Sequence, residues 1–316
     1  MRLRHPLARA ARLLLLGALA LPAPAAPAAD AAAGGLFARD NLVAWCIVPF
    51  DAKKRGPEER VAMLKRLGLR RFAYDWRAEH LPTFDREVGL LKKEGIELTA
   101  VWFPADLGDD ARRLLAVIKK HKVRPQLWVS MAGGGPARSP EEQRRKVEAH
   151  ARALRPVAEE AARLGCSVAL YNHGGWFGEP ENQLAVLDAL RLPNVGLVYN
   201  LHHGHDHLER FPALLRKMKP HLLALNLNGM AKGGDRAGKK ILPLGQGDED
   251  LRVLRAVAES GWRGPVGIIG HTEDDAEERL RDNLDGLAWL VPQLAGKPAG
   301  PRPAPRTLRK PAACCR

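Results

Sequence analysis

The chain is 316 residues long, 46% hydrophobic and 27% charged, a balance that excludes a disordered polymer and supplies enough apolar surface for a sizeable core. Its formal net charge of +14 invites a nucleic-acid reading, but the excess sits at the ends: residues 1–35 carry +3 and residues 296–316 carry +6, which leaves only +5 for the middle. No nucleic-acid partner is expected.

At the N-terminus, Arg2, Arg4, Arg9 and Arg12 precede an apolar stretch from Leu13 to Leu21, and the small-residue patterns Ala23-Pro24-Ala25 and Ala26-Pro27-Ala28 follow. Basic, then apolar, then small is the order of a secretory signal peptide, so residues 1–28 are expected to be removed on export to the periplasm or medium. The apolar stretch is too short for a permanent span, and no transmembrane segment is expected after cleavage.

From residue 36 to 295, short runs rich in β-branched and aromatic residues begin near Val43, Arg70, Glu97, Arg124, Ser167, Val195, Leu222 and Pro265, spaced 27, 27, 27, 43, 28, 27 and 43 residues apart. Between them, Pro57 to Leu67, Phe84 to Lys93, Asp110 to His121, Glu181 to Leu190 and Asp250 to Ser260 carry apolar residues at three- and four-residue intervals, the pattern of amphipathic helices. Ser139-Pro140-Glu141-Glu142 opens a long fourth helix, and Gly68, Gly95, Gly165 and Gly261 close four of the helices. The strands read as continuous apolar runs, as parallel strands covered on both faces should. Eight such units in about 250 residues predict an α/β fold, a single-domain (β/α)8 TIM barrel. A doubly wound open sheet is the runner-up, disfavoured by the regular spacing and by the lack of a Gly-rich phosphate fingerprint after an early strand. The tail 296–316, basic and carrying Pro298, Pro301, Pro303 and Pro305, is expected to be flexible and outside the fold. Cys46 and Cys166 lie beside apolar runs and read as inert buried thiols, and no role follows for Cys314 and Cys315.

In such a barrel the chemistry sits where the strands end. Strand two closes on Tyr74-Asp75-Trp76-Arg77, strand three on Trp102-Phe103-Pro104 and strand four on Trp128-Val129-Ser130. Strand five closes on Tyr171-Asn172-His173, strand six on Asn200-Leu201-His202-His203, strand seven on Asn226-Leu227-Asn228 and strand eight on Gly270-His271. One isolated histidine is most simply structural, and that reading holds for His205 and His207 beside the sixth helix. Convergence of His173, His203 and His271 on one face points instead to acid/base chemistry. Trp102 and Trp128 suit an aromatic wall, and Asp75, Tyr171, Asn200, Asn226 and Asn228 supply polar contacts to sugar hydroxyls.

The stretches Ala169 to Gly175, Val198 to His203, Leu223 to Asn228, Leu242 to Gly247 and Gly264 to His271 resemble the xylose isomerase-like sugar isomerase/epimerase barrels in order and spacing. The resemblance implies a divalent metal held by Glu, Asp, His and Glu at the ends of strands five to eight. Aligned residue by residue, those positions are Tyr171, Asn200, Asn226 and Gly270, so every ligand is replaced, while the family's histidine after the Asp is kept as His203. Lys232 stands near a position where members carry a basic substrate-binding residue.

These departures bear directly on cofactors. Asn offers a neutral carbonyl, Tyr keeps its proton near neutrality and Gly offers nothing, so an orthodox manganese or magnesium site is not expected. A site for zinc or another imidazole-binding ion built from His173, His203 and His271 stays open. The related abasic-site endonucleases are a rival, but strands two and three lack the histidines they need. The expectation is an exported enzyme of isomerase, epimerase or lyase type acting on a small carbohydrate or polyol. The alternative is a barrel that binds sugar without turning it over.

Overall fold

A computed structural model describes residues 35–307. The expected leader at residues 1–28 and the pair Cys314 and Cys315 lie outside the described residues. Eight parallel strands close into a ring: β1 (Leu42–Trp45), β2 (Arg71–Tyr74), β3 (Glu97–Phe103), β4 (Gln126–Val129), β5 (Ser167–Tyr171), β6 (Val195–Asn200), β7 (Leu222–Leu227) and β8 (Val266–Ile269). Strand β8 pairs back onto β1 through Leu42↔Val266 to Trp45↔Ile269, so the barrel is closed and the open-sheet alternative falls.

Helices α1 (Pro57–Leu67), α2 (Leu81–Lys93), α3 (Asp109–His121), α4 (Pro140–Arg163), α5 (Pro180–Leu190), α6 (Phe211–Met218), α7 (Asp250–Glu259) and α8 (Ala276–Leu294) surround it. Their ends follow the local chemistry. The Ser139 hydroxyl accepts the backbone N–H of Glu142 at the start of α4, and Gly68 and Gly165 take left-handed φ values of 68° and 71° where α1 and α4 end. Among the described residues no helix is long and apolar enough to cross a membrane.

Along each strand, alternate side chains serve two different layers. Leu42, Ala44, Phe72, Tyr74, Leu127, Val129, Leu197 and Tyr199 pack outward against the helices. Val43, Trp45, Ala73, Ala100, Trp128, Ala169, Tyr171, Val198, Ala224 and Ile269 fill the barrel itself. Four of the inward residues are alanines, and the space they leave is taken by Trp45, Trp128 and Tyr171, with the rings of Trp45 and Trp128 meeting edge to face at 4.7 Å. Large side chains against small ones seal the lower barrel, and any ligand must sit above them.

One expectation is corrected. The chain from residue 296 to 307 is not a loose tail: the Trp289 indole N–H donates to the Gly300 carbonyl at 2.8 Å and the Gln246 amide donates to the Pro303 carbonyl at 2.8 Å. Arg306 pairs with Asp282 and Asp285, and both the backbone N–H and the hydroxyl of Thr307 donate to the buried Asp282 carboxylate. Proline content suggested freedom, but prolines also suit an extended strap whose polar groups are satisfied by side chains of the domain beneath.

Candidate active site

The mouth at the C-terminal ends of the strands holds a small cavity of about 60 Å³. Its deepest acid is Asp75, the residue directly after β2. Only 3% of Asp75 is exposed, one carboxyl oxygen accepts the Val48 backbone N–H at 3.3 Å, and the other has no hydrogen-bond partner. Burial raises its pKa to about 7, against the opposing pull of the Val48 N–H and the nearby Arg77 charge. A carboxyl with one free oxygen that titrates near neutrality is equipped to take and return a proton.

Beside it lies Cys46, which follows β1 with a φ of 59°, a left-handed backbone that non-glycine residues seldom adopt. Its thiol is held well above the usual range by burial and by the adjacent Asp75, so it is a neutral S–H and not a thiolate nucleophile.

Aromatic rings wall the cavity. Trp102 meets Tyr171 edge to face at 5.0 Å, and Phe50 covers His271 at 3.6 Å between ring centres. The Tyr171 oxygen accepts from the Trp45 indole N–H at 3.3 Å and from the Asn200 side-chain amide. Two donors occupy its lone pairs, so the bond left to make is donation of its own proton. Burial, with the nearby Cys46, pushes the phenol well above its ordinary pKa, which keeps that proton in place.

Four imidazoles complete the mouth. Strand β5 runs on into His173, and the Asn200 side chain accepts the His202 N–H at 3.3 Å, which caps the turn Leu201–His203 and presents two adjacent histidines. The ring centres of His173 and His203 lie 4.5 Å apart, those of His202 and His203 3.7 Å, and those of His202 and His271 5.5 Å. Burial first, then the charges of neighbouring histidines and Lys240, lowers His203 to about 3; burial and Arg77 lower His271 to about 4. His202 and His173 are lowered as well, chiefly by burial. Near neutrality these rings are therefore uncharged, each with one N–H donor and one acceptor nitrogen.

Of the residues expected from the sequence, Asp75, Trp102, Tyr171, His173, His203 and His271 line this cavity together. The others do not. Trp128 is fully buried beneath Trp45 and donates to Gln126, so it is barrel core and not wall. Asn200 sits under the floor and works through Tyr171 and His202. Asn226 lies across β8, where a Cβ on Gly267 would fall 1.9 Å from its side-chain oxygen. Asn228 donates to the backbone of Gly229 and Lys240, and Lys232 is exposed on the loop after β7 with its N–H tied to Asp248. His205 and His207 are structural: His205 meets the Lys240 carbonyl, and His207 is buried between Tyr199 and Glu179. Sequence reasoning missed Trp45, Cys46, Phe50, Arg77 and His202 as cavity residues. Arg77 and His202 stood in the strand-end stretches already, and two steps further along each strand end was the signal that could have drawn them in.

The four positions aligned with a divalent-metal site do not fit a hard cation. Tyr171 keeps its proton, the Asn200 carbonyl oxygen accepts a backbone N–H, Asn226 lies over Gly267, and a Cβ at Gly270 would meet the Ile47 side chain at 2.8 Å. Among the described residues no three His, Cys, Asp or Glu side chains gather in a group that could hold a metal ion.

A family model described as a xylose isomerase-like TIM barrel matches residues 61–291. A search of curated protein sequences returned no match. Among solved structures, the chain is similar to the 3-keto-D-glucoside 4-epimerase YcjR from E. coli, at 17% identity and a TM-score of 0.59, over 79% of this chain and 98% of that one. It is also similar to the IOLI protein in a structure with a bound zinc atom, at 13% identity and a TM-score of 0.61, over 80% of this chain and 98% of that one. A D-tagatose 3-epimerase-like protein matches at 14% identity and a TM-score of 0.56, over 80% and 99%. At these identities the likeness speaks for the fold.

Proposed function

Because this chain belongs to the xylose isomerase-like TIM barrel family, we propose that it is a sugar isomerase, epimerase or related lyase that moves protons with Asp75 and without the family's metal. The observation that carries the reading is the unpartnered carboxyl oxygen of Asp75 in a cavity walled by aromatic rings and four neutral imidazoles. Apolar ring faces suit the C–H faces of a sugar, and imidazole and phenol groups suit its hydroxyl and carbonyl oxygens.

Ionised Asp75 takes the proton from the carbon beside a sugar carbonyl, and the C–H electron pair moves to form the enolate as the carbonyl oxygen gains the charge. Tyr171 and an imidazole N–H donate hydrogen bonds to that oxygen, which stabilises the charge as it develops. Return of the proton from Asp75 to the neighbouring carbon, as the hydroxyl proton on the first carbon passes to the enolate oxygen, gives the isomer; its transfer to a departing β-hydroxyl, lost as water, gives the lyase product; and a proton delivered to the opposite face of the same carbon by water, with Asp75 releasing its own proton to solvent, gives the epimer. His173, His203 and His271, uncharged near neutrality, serve as hydrogen-bonding groups here, and the exchanging proton is assigned to Asp75.

The binding-only alternative has its own support, since none of the four positions aligned with metal ligands retains a ligand. Incubation of the protein with a panel of aldoses, ketoses and keto-sugars in D2O separates the two. Deuterium entering at the carbon beside the carbonyl is the expected result, and saturable binding with no exchange would favour a sugar-binding barrel. We also propose export, from the basic, apolar and small-residue order of residues 1–28. The intact mass of protein taken from its native host should match a chain lacking roughly that leader, and a mass beginning at Met1 would contradict it.

A further inference from the structure

From the charges around the mouth, we infer that the ligand is an anionic sugar whose carboxylate or phosphate group is held by Arg77, with Lys240 contributing. This rests on the carbohydrate reading and narrows it to a substrate class.

Arg77 lines the cavity, and its head group is organised before any ligand arrives. Its Nη1 donates to the backbone carbonyls of Asp75 at 3.2 Å and Trp76 at 2.8 Å, and its guanidinium lies 5.3 Å from the centre of the Phe50 ring. Phe50 in turn covers His271. These contacts use one nitrogen and one face. Among the described residues, the Nε and Nη2 edge has no partner, and that edge carries the parallel N–H pair that matches two oxygens of a carboxylate or phosphate.

The surroundings carry the same sign. The charge of Lys240 lowers His173, His202, His203 and His271 together, and among the described residues neither Lys240 nor Arg77 forms an ion pair. Elsewhere on this protein arginines are commonly paired, as Arg55 is with Asp51 and Asp275 and Arg306 with Asp282 and Asp285. Among the described residues Asp75 is the only acid lining the cavity, and it lies buried. A fixed guanidinium with a free edge and a second cation near the imidazoles form a receptor for negative charge.

The test is a titration followed by the change in intrinsic tryptophan fluorescence, to which Trp45 and Trp102 at the cavity contribute, at constant ionic strength, with a panel of hexoses and pentoses, their uronic and aldonic acids, and their terminal phosphates. The expected result is that one anionic series binds about tenfold tighter than the matching neutral sugar, the factor one charge-assisted hydrogen bond supplies. Whether the acids or the phosphates lead identifies the anion. Arg77→Gln should erase that preference, bringing the ratio of anionic to neutral affinity close to one, and because Arg77 is exposed the variant should fold. Equal affinity for neutral and anionic sugars, or a preference that survives Arg77→Gln, would overturn the inference and leave the carbohydrate reading standing. Failure of every sugar in the panel to bind would overturn both.

Discussion

The side-chain amide of Asn200 donates to the hydroxyl of Tyr171, so two of the positions aligned with a divalent-metal site are spent on each other. With the indole of Trp45 as a second donor, the phenol oxygen has no lone pair left for a cation. Purified protein should therefore hold no stoichiometric manganese or magnesium after dialysis, and a chelator should leave turnover unchanged. Elemental analysis and an activity assay with and without EDTA check this; a tightly held ion whose removal stops turnover would refute the assignment of these two residues.

Asp75 also makes a prediction about stability. An unfolded aspartic acid titrates near its ordinary value of 3.8, and burial raises the folded group to about 7. Between those values the native state keeps a proton that the unfolded chain has released, so the contribution of this group to stability is present at low pH and is lost as pH rises through about 7. Asp75→Asn removes the titration. The variant should match the wild type near pH 4 and exceed it at pH 8 by roughly 1–3 kcal/mol, a discount on the full shift for relaxation around the charge. Urea melts at both pH values give the difference, and an equal effect at both would show that the carboxyl is not buried as described.

Gly267 and Asn226 are neighbours in register on β8 and β7, and the space where a Cβ would sit on Gly267 is occupied by the Asn226 amide. Gly267→Ala should cost about 1–3 kcal/mol by overpacking. The double variant Gly267→Ala with Asn226→Ala should recover most of that loss, and additive losses would show that the two sites do not meet. Recovery would also mark Asn226 as a packing residue and not a sugar contact.

The strap from Gly300 to Thr307 is expected to matter for folding. Truncation after residue 299 leaves the buried carboxylate of Asp282 without the Thr307 N–H, the Thr307 hydroxyl and Arg306. Thermal melts of the truncated chain should show a clear loss, roughly 1–3 kcal/mol for an orphaned buried acceptor. An unchanged midpoint would return this segment to the status of a loose tail.

Much of the fold was legible because its signals are local. Each strand starts within two residues of the position read from the apolar runs, and Ser139, Gly68 and Gly165 mark helix ends by chemistry that needs no tertiary context. The site was legible only in part, because strand-end position says which face a residue joins but not which layer. Trp102 and Trp128 are paired in register and both point inward, yet Trp45 roofs Trp128 and leaves Trp102 at the cavity. Cys46 looked like an inert thiol beside an apolar run. Its left-handed backbone, together with ring closure, brings it to Asp75 from a separate strand, and neither feature has a signature at position 46 alone. The proline-rich tail misled because composition reports what the chain resists, and not which side chains wait to receive its backbone.

The central claim is that Asp75 exchanges the proton, and the most direct measurement is the rate of deuterium incorporation from D2O into the best-bound carbonyl sugar, followed from pH 5 to 9 for the wild type, Asp75→Asn and His203→Ala. Because the ionised carboxylate is the base, exchange by the wild type should rise with pH through an apparent pKa near 7. Asp75→Asn should fall to the uncatalysed background, and His203→Ala should weaken exchange while keeping the same pH midpoint. Exchange that persists in Asp75→Asn, or a midpoint that disappears with His203→Ala while Asp75 is intact, would contradict the account and return the chemistry to the histidines.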